Sequence, residues 1–128
     1  MPQHKKELIK FAIEKSKTAL QTAKENMASK KLEGALNRIY YAIFYAVSAL
    51  AIKNDFSTSN HSQLIGWFNK KFIHEDKVFD KEIYRIYESS FAYRQKSDYD
   101  LTYIPDLDTV QTLLSKAEFF IDAIIKTI

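Results

Sequence analysis

The chain has 128 residues and carries 19 Lys and Arg against 16 Asp and Glu, a formal net charge of +3. With only 2 Gly and 2 Pro it lacks the turn density of a β-sandwich or barrel, and the composition points to long helices. No cysteine is present, which excludes disulfides and thiolate metal sites and fits a reducing, cytoplasmic setting.

The length suits one domain over residues 1–128, large enough to bury roughly two-thirds of the surface of its unfolded chain. The charge is unevenly spread. Residues 1–31 hold eight Lys and three Glu (+5), residues 32–74 add +2, and residues 75–128 hold seven basic and eleven acidic side chains (−4). Such a split suits a basic face toward anionic ligands. Solvated helix faces or self-association would account for it equally well.

Five helices follow from the apolar spacing, with no strand alternation and no internal repeat. The first spans about His4 to Ser29, with Leu8, Ala12, Ala19, Ala23 and Met27 as its stripe, widened by Ile9, Ile13 and Leu20. Its opening, MPQHKKELIKFAIEKSK, has early charges and no apolar stretch of the secretory type, so no signal peptide is expected. The second spans about Lys31 to Lys53 and is apolar nearly all round, which places it at the centre of a bundle. Its longest charge-free run, IYYAIFYAVSALAI, is short for a bilayer, so a buried core helix is expected and no membrane.

The polar segment NDFSTSNHSQ ends that pattern, and Thr58 or Asn60 can cap a third helix, Asn60 with Gln63 as a capping box. Leu64, Ile65, Trp67, Phe68 and Phe72 would form its buried side. Asp80 caps a fourth helix whose inward row runs Ile83, Ile86, Tyr87, Ser90, Phe91 and Arg94. A loop through Tyr103 and Pro105 leads to Asp106 and the last helix, with Val110, Leu113, Ala117, Phe120, Ile124 and Ile128 as its stripe. Short connections imply antiparallel neighbours. The expected fold is an all-α, antiparallel up-and-down bundle of four to five helices.

Several side chains could carry chemistry. Arg94 continues an inward-facing row, and a guanidinium cannot shed its proton there. It must meet an acid, reach solvent or bind an anion. Asp98, four residues on, is the available acid; the pair reads either as a helix-end ion pair or as an oriented phosphate fork. Asn37, Arg38 and Tyr41 form a polar entrance to the second helix, with Arg38 and Tyr41 on one face; Arg38 is either a rim charge beside core tyrosines or a group that binds an anion. His61 begins the third helix, where the dipole disfavours its protonation; it is a capping residue or an acid–base group. His4 and His74 read as surface. Gly-rich phosphate loops, nucleophile elbows, HExxH, EF-hand and Glu-x-x-His patterns are missing, so neither a metal nor a cofactor is expected.

The segments ALNRIYYAIFYAVSAL, STSNHSQLIGWFNKKFI, YRQKSDYD and LLSKAEFFIDAI, in this order and spacing, resemble the HEPN domains, and in particular their short stand-alone members. The resemblance spans about residues 5 to 125. It implies a helical bundle that pairs as a homodimer and lines a two-fold cleft with its arginine motif and residues 37–41, so that Arg38 and Arg94 would make a two-cation pocket for a phosphodiester. It also implies kinship with metal-independent ribonucleases, in which an Arg is followed four to six residues later by His. Arg94 matches that arginine, and Tyr99 stands where His would be. Histidine titrates near neutrality whereas a tyrosine side chain titrates near 10. The expectation is therefore an RNA- or nucleotide-binding protein whose ribonuclease motif is degenerate, with Arg94 and Tyr99 as the candidate catalytic pair. Members of this kind stand beside a minimal nucleotidyltransferase that serves as antitoxin, the partner the resemblance implies. An active ribonuclease toxin and a plain interaction bundle are the alternatives.

Overall fold

Small side chains decide how the first two helices meet. In the computed structural model, which describes residues 2–128, α1 (Gln3–Ala28) lies along α2 (Leu32–Lys53). Ala12, Ser16, Ala19 and Ala23 of α1 and Ala35, Ala42, Ala46 and Ala49 of α2 are all buried. Without bulk at these positions the two backbones can approach closely. At that seam the Ser16 hydroxyl donates to the Ala42 carbonyl at 2.6 Å, so a buried polar side chain is satisfied.

The chain continues through α3 (His61–Phe68), a π-helical extension (Asn69–Glu75), α4 (Lys81–Tyr99) and α5 (Leu107–Ile125). No strand occurs among the described residues. The expected all-α bundle is the fold found. By length and composition α2 could cross a membrane, yet most of it is buried against α1, α4 and α5. Leu36, Ile39, Tyr40, Ile43 and Val47 are fully enclosed there.

The helix starts follow the sequence signals. Asp80 accepts from the Glu82 amide and Asp106 from the Thr109 amide, each satisfying an otherwise orphaned donor. Asn60 caps α3 by accepting from the Gln63 amide at 2.9 Å. The reciprocal half of the capping box is relayed through Thr58, whose hydroxyl accepts from the Asn60 amide and donates to Gln63 Oε1. Both predicted capping candidates are thus in use.

Three details differ from the periodicity. Ala12, Ala19, Ala23 and Met27 of the α1 stripe are buried as expected, but Leu8 is 42% exposed and Ser16 joins the buried face. The seam selects small residues, and a polar serine with a backbone acceptor in reach fits it better than leucine. The third helix widens into π-helical turns after Phe68, which keeps Phe72 and Ile73 buried beyond its end. Ile128, placed on the α5 stripe, lies beyond the helix and is only half-buried. Helix-ending positive φ angles fall on Lys30, Asp55 and Lys77 rather than on glycine.

Candidate functional site

The row Asn37, Arg38, Tyr41, Phe44, Tyr45 on α2 meets the start of α3 and the last turns of α4. Tyr40, three residues after Asn37, is fully buried, and its hydroxyl bonds His61 Nδ1. The His61 ring stacks on Phe44 with centroids 4.6 Å apart and planes 14° from parallel, and sits edge-on to Tyr41 at 6.0 Å. Capping by Asn60 thus fixes where α3 begins, and that start delivers His61 into an aromatic box from α2.

Arg94 enters the same box from α4. Its guanidinium carbon lies 5.4 Å from the Tyr40 ring centroid and 5.3 Å from that of Tyr41, within cation–π range of both. Nε is 3.0 Å from Asp98 Oδ2, the expected i,i+4 partner. That contact is Coulombic, because the N–H is not aimed at the oxygen and makes no hydrogen bond. Among the described residues, neither terminal NH₂ group donates to a protein acceptor. Arg38 reaches Tyr41 as well, with its guanidinium carbon 5.2 Å from the ring centroid. Asn37 Oδ1 steadies it by accepting from Nε at 3.0 Å and from Nη2 at 2.9 Å. Two permanent cations therefore converge on one tyrosine ring.

The electrostatics follow from this crowding. Desolvation lowers the His61 pKa below 6.5, and the positive charge of Arg94 lowers it further. The direction matches the sequence expectation, but burial and Arg94 are its causes. Burial raises the Tyr40 hydroxyl far above its ordinary value, against an opposing pull from Arg94, so it stays protonated.

The sign of the linkage is set by the same shift. His61 binds its proton less readily folded than unfolded, so its contribution to stability is full above pH 6.5. It declines as pH falls from there toward the lower folded midpoint. In a two-dimensional NMR titration His61 is expected to titrate below 6.5, and to move upward in Arg94→Gln, which removes the repelling cation. An unmoved midpoint in that variant would place Arg94 away from the ring.

Of the side chains singled out from sequence, Asn37, Arg38, Tyr41, His61, Arg94 and Asp98 lie in this cluster. Tyr99 does not point into it. It stands five residues after Arg94, roughly 140° round the helix, and is 75% exposed. Tyr40 and Phe44 escaped notice because an aromatic run on a core helix reads as packing. Only the position of α3 shows that one supplies a hydrogen bond to His61 and the other a stacking face.

Residues 9–128 match the HEPN domain family, nearly the whole chain. The chain belongs to the HEPN family. A protein of Thermotoga maritima named "UPF0332 protein" is 36% identical over 124 residues, covering 97% of this chain and 93% of the relative. A protein of Methanocaldococcus jannaschii named "Putative toxin MJ0142" is 32% identical over 119 residues, covering 93% and 80%. The all-α bundle is thus that of a HEPN domain.

Proposed function

We propose that this HEPN protein is the RNA- or nucleotide-binding component of a toxin–antitoxin type system, gripping phosphate with Arg94 and Arg38. The observation that carries the reading is the convergence of both guanidinium groups on Tyr41, at 5.3 and 5.2 Å. Two cations on one aromatic platform, with the terminal N–H groups of Arg94 and Nη1 of Arg38 not consumed by protein acceptors, suit a phosphodiester, whose oxygens accept several charged hydrogen bonds. The tyrosine faces add stacking surface for a base. The toxin association draws on the name of the Methanocaldococcus relative. A homodimer would bring two such clusters together, and a minimal nucleotidyltransferase would be the antitoxin partner.

In this reading the proton-transfer half of the ribonuclease motif is degenerate, because Tyr99 replaces histidine and faces away from Arg94. One observation favours the ribonuclease alternative. His61 brings a neutral imidazole beside Arg94 from a different helix. If Nδ1 carries the hydrogen and donates to Tyr40, Nε2 is free to take a proton from a ribose 2′-hydroxyl.

A fluorescence-anisotropy titration of single-stranded RNA tests the reading. Binding is expected, with affinity falling as salt rises from roughly 50 to 200 mM. No binding at the lower salt would overturn it. Inspecting the same RNA on a gel separates the two forms: an intact strand supports the binding protein. Cleavage that is lost in His61→Asn but kept in Tyr99→Phe supports the ribonuclease.

A further inference from the structure

Tyr41 is not the end of the aromatic track. Its ring lies 5.9 Å from Tyr45, one turn further along α2. Beside Tyr45 is Lys15 of α1, whose ammonium nitrogen sits 5.3 Å from the Tyr45 centroid and 5.4 Å from that of Phe11. Phe11 is 58% exposed. These side chains, with Arg38, Thr18 and Thr22, line a groove of about 350 Å³ between α1 and α2.

The pattern follows from the helix periods. Positions 11, 15, 18 and 22 of α1 share one face, as do 38, 41 and 45 of α2. The Ser16–Ala42 seam sets the two faces side by side. Arg38 is common to the groove and to the Arg94 cluster, so the two surfaces are continuous.

We propose that this groove is a second, base-stacking subsite that carries single-stranded RNA onward from the phosphate held at Arg94 and Arg38. The inference rests on the cleft reading above and adds its substrate class. Cations and aromatic rings are interleaved along the track: Arg94 and Arg38 at Tyr41, then Tyr45, then Lys15 between Tyr45 and Phe11. A single strand presents both phosphates and unpaired base faces to such a track, and duplex RNA keeps its base faces stacked on one another.

Residues 38 to 45 span roughly 10 Å along the helix axis, room for two or three stacked bases. The α1 helix offers six lysines against three glutamates, so strand entry from this side is favoured. Glu14 is the one acid in the groove lining, and a strand would pass beside it. The contact of Lys15 with the two rings is an exposed cation–π pair, weak enough for the ammonium to swing onto a phosphate and free a ring face.

The test compares two competitors for a fluorescein-labelled strand: a uridine dinucleotide and a uridine strand of about eight nucleotides. The whole chain is used. Phe11→Ala and Lys15→Gln are surface changes, and a thermal melt checks that each variant folds. Each is expected to remove about tenfold of the affinity gained on lengthening. If that gain survives in both variants while Arg94→Gln weakens both oligomers, the groove is wrong and the cleft reading stands. If Arg94→Gln affects neither oligomer, the cleft reading fails and the groove proposal goes with it. A blunt duplex of equal length that binds as tightly, and is weakened equally by Phe11→Ala, also overturns the proposal, because paired bases cannot stack on that ring.

Discussion

Arg94→Gln is expected to weaken RNA binding by about ten- to a hundred-fold while leaving the bundle folded. Hydrogen bonds to charged groups contribute about 1.5–3 kcal/mol each, and every 1.4 kcal/mol is about a factor of ten in affinity. Losing one such bond from the terminal NH₂ groups gives that range. Asp98 adds to the loss, because without its cation the carboxylate would repel an incoming phosphate from 34% side-chain exposure. Glutamine retains part of the stem that packs on Tyr40 and Tyr41, so the variant removes charge more than packing. Equal affinity of variant and wild type in an anisotropy titration would reduce Arg94 to a helix-end ion pair.

Phe68→Ala carries the largest expected cost in stability, about 3–5 kcal/mol. The ring is fully buried and meets Phe72, Phe79, Tyr87 and Phe120 at centroid distances of 5.7–5.9 Å. These neighbours come from the π-helical extension, the loop after it, α4 and α5. One truncation therefore leaves a cavity where four segments join, and rigid rings close it poorly. The consequence reaches the site, because α3 carries both Phe68 and His61. A urea midpoint lowered in proportion, with the His61–Tyr40 bond weakened in the same variant, is the expected result. A loss below about 1 kcal/mol would mean the cluster repacks around the void.

Much of this architecture was legible in advance. Asp80, Asp106 and the pair Thr58/Asn60 announced three helix starts, because a capping side chain must sit at a fixed offset from the amides it satisfies. The all-round apolar pattern of α2 likewise announced its central place. On α1 the spacing places Ala12, Ala19, Ala23 and Met27 inside but passes over Ser16, a polar side chain whose acceptor on α2 alone shows why it is buried.

The site was half legible. Arg94 and Asp98 are four residues apart on one helix, so local spacing revealed the pair. That His61 shares Tyr40 and Tyr41 with Arg94 depends on how α3 packs across α2, and no local spacing encodes it. The Phe11–Lys15–Tyr45 ladder is likewise invisible until α1 and α2 lie side by side.

The claim beneath these expectations is that Arg38 and Arg94 form one anion site on Tyr41. The salt dependence of single-stranded RNA binding measures it most directly, because each phosphate neutralised contributes about 0.7 to the slope of log affinity against log salt. In the double variant R38Q/R94Q the slope is expected to fall in magnitude by about 1.4, two contacts' worth. A slope equal to that of the wild type would show that neither guanidinium meets a phosphate.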